Sequence, residues 1–179
     1  MGPEDLQPPE PPARIGASHM CSKRVVIAII LMVVLGYANV AASDLQPRKV
    51  SPQDKCPVCG MFVAKYPDFV ARIVFKDGSQ VFFDGVKDMM KYYFNLPKYH
   101  PAKTTADIGA IMVSDYYKLT VIDGQQAWYV NGSDVYGPMG KELIPFQDEA
   151  AAKEFKVDHK GTAILQFKDI TPEIIKPLD

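Results

Sequence analysis

The sequence predicts an α+β fold with antiparallel sheets, in which two related β-hairpin-plus-helix units succeed one another over residues 56–179. Three observations predict it. Short apolar stretches alternate with period two, as in Phe69–Phe75. Two Asp-Gly pairs, Asp77-Gly78 and Asp123-Gly124, fall between such stretches where tight turns are needed. Each group of strands then gives way to helical spacing, at Val86–Phe94 and again at Asp148–Phe155.

Composition narrows the function classes. The chain has 179 residues, 47% of them hydrophobic and 23% charged, which suits one globular domain. Its 20 basic residues are balanced by 21 acidic ones, so binding to nucleic acid by bulk positive charge is excluded. A single apolar run excludes a polytopic membrane protein, and three cysteines are too few for a disulfide scaffold.

Residues 1–19 are rich in Pro, Gly and charge and are expected to be a disordered or non-native leader. Met20 opens a different pattern over residues 20–42. Lys23 and Arg24 precede the apolar run Val25–Leu35, and Val40-Ala41-Ala42 supplies small residues. That is a signal peptide, and the pattern favours cleavage after Ala42 over an uncleaved anchor that would associate with the membrane. In both cases residues 43–179 lie outside the cytoplasm. Cys21 precedes the run, so it is not a lipidated cysteine.

Residues 43–55 form a polar leader, followed by the knuckle-like turn Cys56-Pro57-Val58-Cys59-Gly60-Met61. Phe69–Phe75 reads as a strand with Phe69, Ala71, Ile73 and Phe75 on one face. Asp77-Gly78 reads as a two-residue type I′ turn, with positive φ at both positions, into Gln80–Phe83. Asp84 is a candidate N-cap for a helix over Val86–Phe94, with Val86, Met89, Met90 and Tyr93 inward. Leu96–Asp107 reads as a loop. Ala110–Val113 and Leu119–Ile122 are short strands, and Asp123-Gly124 is expected to join the latter to Ala127–Val130 in a hairpin. After glycine-rich Asn131–Lys141 come a strand at Leu143–Phe146 and a helix at Asp148–Phe155 with Ala150, Ala151 and Phe155 inward. Gly161 suits the helix end, and Thr162–Phe167 is the last strand.

The chemistry rests on sulfur. A Cys-x-x-Cys pair serves structural zinc, thiol redox or soft-metal capture. His100 and His159 lie far apart in sequence and lack paired spacing, which disfavours a closed zinc site. A polar leader before the motif and a strand after it do not match a thioredoxin-type context. Met61 stands two residues past Cys59, across a glycine that is expected to relieve crowding. Met139 stands in Gly137-Pro138-Met139-Gly140, where helical packing cannot explain it. Thiolate and thioether donors together select Cu(I) over harder ions. His100 is a possible weak extra ligand. Met89, Met90, Met112 and Trp128 read as core, and His159 as a helix-terminal cation. No nucleophile elbow, phosphate loop or metalloprotease motif occurs, nor a defensible acid–base pair of carboxylates, so the residues make no case for an enzyme.

Cys56–Met61, Ala110–Asp115, Ala127–Ser133, Gly137–Gly140, Pro145–Asp148 and Ala150–Phe155, in that order, resemble the NosL family from about Cys56 to Gly161. The resemblance implies a periplasmic Cu(I)-binding accessory protein that supplies copper to nitrous oxide reductase. It also implies paired β-hairpin-plus-helix units similar to part of organomercurial lyase. Matched by motif, Cys59 and Met61 correspond to a copper-binding Cys-Gly-Met and Met139 to the methionine of the glycine loop, with Cys56 a neighbouring candidate. The family's usual lipobox is missing, which leaves a soluble or signal-anchored form. An exported thiol–disulfide protein and an interaction module with a Cys56–Cys59 disulfide remain the alternatives.

Overall fold

The structure, a computed structural model, describes residues 48–179. The leader at 1–19, the signal peptide at 20–42 and the first residues of the polar leader lie outside the described residues. From residue 48 that leader is tied down. The Arg48 guanidinium donates two 2.8 Å bonds to the Asp54 carboxylate and lies 4.2 Å from the Phe82 ring centre.

The first sheet grows from β1 (Ala71–Phe75). Strand β2 (Gln80–Phe83) returns antiparallel to it, and helix α1 (Val86–Phe94) follows; after the short helix α2 (Leu96–Tyr99), β3 (Ile108–Ser114) pairs with the other edge of β1. Strand β4 (Val121–Asp123) completes the order β2-β1-β3-β4. The second sheet grows from β5 (Trp128–Asn131). A two-rung hairpin, β6 (Tyr136–Gly137) and β7 (Gly140–Lys141), intervenes before β8 (Ile144–Phe146) returns antiparallel to β5. Helix α3 (Glu149–Asp158) follows, and β9 (Ala163–Gln166) pairs with the free edge of β5, giving β8-β5-β9. Both sheets thus obey one rule: a strand, its return, a helix, and a third strand beside the first. The short helix α4 (Pro172–Ile175) and a turn at Lys176–Leu178 end the chain, and Ile175 and Leu178 join the core beside α1.

The α+β class with antiparallel sheets is as predicted, but several local expectations change. The strands at 108–123 complete the first sheet rather than opening the second, so Asp123-Gly124 joins no hairpin; β4 and β5 belong to different sheets. Gly124 is there for close approach: a Cβ would lie 2.8 Å from Ile111 Cγ2 and 3.2 Å from the Tyr129 hydroxyl. The Asp77-Gly78 turn is not type I′, because among its residues only Gly78 has positive φ (84°). Phe75 donates to Ser79 O (2.9 Å) and Gly78 to Phe75 O (2.9 Å), which makes a three-residue loop closed by a glycine bulge. Phe69 lies in a 3₁₀ turn before β1, and Leu96–Asp107 holds α2 and a 3₁₀ turn instead of a plain loop. In α3 the buried face is Ala152 and Phe155, while Ala150 is exposed; in α1 Tyr92, not Tyr93, is fully buried.

Asp84 does not cap α1. The N-cap is Gly85, with no side-chain cap of its own. The helix's Lys87 N–H donates 2.6 Å to Glu142 Oε1, which also accepts from Leu143 N–H at 2.8 Å. One orphan donor of the helix is satisfied by a carboxylate from the chain just after β7. Asp84 is thereby left for other work.

Candidate metal centre

The Cys56–Met61 turn is closed by backbone bonds. Cys56 N–H donates to Met61 O (2.9 Å), Gly60 N–H to Cys56 O (2.8 Å), and Lys55 bridges to Phe62. Gly60 has φ of 80°, and nothing lies within 4 Å of where a Cβ would stand. Left-handed backbone, not crowding, is what requires glycine here.

This turn lays both sulfurs against the start of α1. Cys56 Sγ donates to Asp88 Oδ2 (3.4 Å) and Cys59 Sγ to Asp84 Oδ1 (3.2 Å). One donor atom from each of Cys56, Cys59, Asp84 and Asp88 lies within 4.8 Å of every other. Cys56, Asp84 and Asp88 are buried, and Cys59 is half-buried at the rim. The cysteines are free thiols. Burial pushes the Cys56 thiol well up, against the backbone N–H groups of Cys59 and Val58 that point at it; burial also lifts Cys59 to about 12, opposed by the Met61 N–H. Asp84 Oδ2 is buried with no hydrogen-bond partner.

Two further groups seat the β6–β7 hairpin at the same helix end. Lys87, 1% exposed, donates from Nζ to the carbonyls of Met139 (2.7 Å) and Leu178 (2.9 Å). Glu142 is fully buried beside Gly85, and burial raises its carboxyl to about 8 against the pull of the Leu143 and Lys87 N–H groups. Met139 occupies the hairpin tip and is 46% exposed, and Met61 is half-buried.

Of the residues singled out in the sequence, Cys56 and Cys59 are brought together, and the Met139 backbone is fixed one residue before Asp88 on α1. His100 is placed elsewhere: its Nδ1 lies 2.8 Å from the Tyr92 hydroxyl and its ring meets the edge of Phe75. His159 caps α3 beside Asp134, and Met89 and Met90 are wholly buried, as expected. Sequence reasoning missed Asp84 and Asp88 as partners of the thiols, and Lys87 and Glu142 as the ties of the hairpin. The available signal was a carboxylate pair at i, i+4 entering a helix whose face is otherwise apolar.

The sequence pattern of the NosL family matches residues 47–175. The curated relative "Copper-binding lipoprotein NosL" of Stutzerimonas stutzeri is 25% identical over 166 residues, covering 90% of this chain and 87% of its own. The crystal structure of the copper chaperone NosL from Shewanella denitrificans superposes with a TM-score of 0.61 at 21% identity, over 72% of this chain and 97% of that one. That likeness is one of fold.

Proposed function

Since the chain belongs to the NosL family, we propose that it is an exported copper chaperone, carrying one Cu(I) as cargo and releasing it to a copper enzyme, nitrous oxide reductase foremost. Cys59, Met61 and Met139 are the donors in this reading, and Cys56 stands beside them. The reading assigns no part to His100. The observation that carries it is the half-buried Cys59 thiol on a Cys-Gly-Met turn, at the helix end where Lys87 also holds the Met139 backbone. The names of the relatives support copper as the cargo and export as the address.

The chemistry follows from the donors. A thiolate and two thioethers are soft, polarisable and low in total charge, which suits Cu(I) and leaves it under-coordinated. An ion held by two or three sulfurs at a half-exposed rim is open to attack by an acceptor's ligand, whereas a buried cage would retain it. Loading displaces the Cys59 proton, so affinity rises with pH. The thiol–disulfide alternative is opposed by the context of the motif, which runs into a 3₁₀ turn at Val63–Lys65 and does not itself open an α-helix as a thioredoxin-type pair would.

Competition against a Cu(I) chelator tests the reading. Cys59→Ser is expected to lose more than the roughly 10–100-fold in affinity that an outer contact costs. Met61→Ala and Met139→Ala each weaken competition by a smaller factor while the fold is retained. A Cys59→Ser protein that competes as the parent does overturns the assignment.

A further inference from the structure

We propose that Lys55, Phe62 and Lys65 form a docking surface for an acidic protein partner, beside the turn that carries Cys59 and Met61. The role of the partner rests on the copper reading, in which an acceptor with carboxylates around its metal ligands is guided to the cargo. The surface itself stands on geometry that no metal enters.

The base of the turn builds it. Lys55 and Phe62 pair as an isolated antiparallel bridge on either side of Cys56–Met61, and directly paired residues project to one face. The Lys55 Nζ accordingly stands 4.8 Å from the Phe62 ring centre. Lys65 ends the 3₁₀ turn Val63–Lys65, and its N–H donates 3.2 Å to Phe62 O, which folds the chain back towards the ring. Its Nζ stands 5.6 Å from the same ring centre. Both distances are within reach of cation–π attraction. Phe62 still keeps 38% of its surface exposed, and both lysines are exposed. Phe62 is three residues from Cys59, so their Cα atoms lie no more than about 11 Å apart. The exposed Met139 is held at the helix end against which the same turn lies.

Charge selects the class of partner. Residues 48–65 hold four cations, Arg48, Lys49, Lys55 and Lys65, against one carboxylate, Asp54, in a chain of net charge −1. Asp54 is taken by Arg48, at 2.8 Å. No ion pair among the described residues reaches Lys55 or Lys65. Two like charges gathered on one ring repel each other, and an incoming carboxylate relieves that repulsion. An exposed aromatic within a basic rim has the make-up of a protein interface, apolar at its centre and polar around it. An anionic membrane fits less well. Electrostatic binding to lipid takes clusters of about four to eight basic residues, more than this turn offers.

The test passes Cu(I) from the loaded, reduced protein to synthetic acceptor peptides with one Cys-x-x-Cys pair, flanked by aspartates in one version and by lysines in the other. At about 0.01 M salt, where charges act over about 30 Å, the acidic peptide is expected to receive copper about tenfold faster. Near 1 M salt, where that reach is about 3 Å, the preference is expected to vanish. Lys55→Gln with Lys65→Gln is expected to remove most of the preference and leave Cu(I) affinity unchanged. Lys153→Gln with Lys168→Gln, on α3 and after β9, removes the same charge and is expected to leave the preference in place. A preference that both double variants reduce equally overturns the proposal, because it then reflects net charge alone. So does a preference that neither changes. A second arm needs no metal: the metal-free protein is titrated with the acidic peptide carrying Ser in place of Cys. Amide shifts are expected over residues 55–65 and are lost in the Lys55 and Lys65 double variant. A protein that shows those shifts yet binds no Cu(I) overturns the copper reading and leaves the docking surface standing. One that binds Cu(I) without the shifts overturns the docking surface alone. Flotation with vesicles of phosphatidylcholine and phosphatidylglycerol that depends on both lysines, without a preference between the peptides, assigns the surface to lipid and overturns the proposal.

Discussion

Glu142 shows what burial does to a single carboxyl group. Its folded value of about 8 lies above the ordinary 4.5, so between those pH values the folded chain keeps a proton that the unfolded chain releases. The stability it contributes is fully present below about pH 4.5 and is lost as pH rises through about 8. Glu142→Gln keeps an acceptor for the Lys87 and Leu143 N–H groups and cannot ionise. Urea melts are therefore expected to show the variant gaining on the parent between pH 5 and pH 8, by a few kcal/mol at about 1.4 kcal/mol per tenfold change. A difference that stays flat over that window would sink the argument. At this scale the sulfurs were legible because Cys-x-x-Cys-Gly-Met and a methionine between glycines have few structural explanations. The carboxylates were not. Asp84 precedes a helix, where a cap is the ordinary use of aspartate, and only the Glu142 side chain, arriving at the Lys87 N–H from 55 residues further along the chain, frees it from that duty.

Element boundaries were readable because period and punctuation are local. β2 and α1 begin and end where alternation and helical spacing do. The junction between them is not local. A Cβ on Gly85 would lie 2.0 Å from Glu142 Oε2 and 2.9 Å from its Cδ. Glu142 cannot swing aside without giving up the bonds it accepts from the Lys87 and Leu143 N–H groups. Gly85→Ala is expected to cost about 2–4 kcal/mol in a denaturant melt. Combined with Glu142→Ala, which removes the obstacle, it is expected to cost less than the two changes summed. Additive costs would show that the close approach is not the cause. The Asp123-Gly124 pair teaches the same lesson in reverse, since a sequence that reads as a hairpin turn marks a glycine squeezed between Ile111 and Tyr129 as the chain crosses between sheets.

Across the molecule, strand order was the least legible feature. Pairing depends on which apolar faces meet, and β3 meets β1 only after the 32 residues between Phe75 and Ile108 have passed through β2, α1 and α2. The two sheets share one plan, but the second carries the β6–β7 hairpin where the first has the short loop after Phe75. Lys87 gathers three parts of the chain: α1, the hairpin tip and the C-terminal turn. Lys87→Met leaves two carbonyls without their donor and is expected to cost about 2–4 kcal/mol, read as a fall in the urea midpoint. An unchanged midpoint would mean that the ammonium ties nothing together.

The hairpin itself is only two rungs long, and its tip is fastened through a single carbonyl. A side chain carried on so slight a stem can be drawn away by breaking a handful of bonds, with the two larger sheets intact. If Met139 is a copper donor, as proposed, one grip on the cargo would thus be detachable by construction, and release would not require the molecule to come apart.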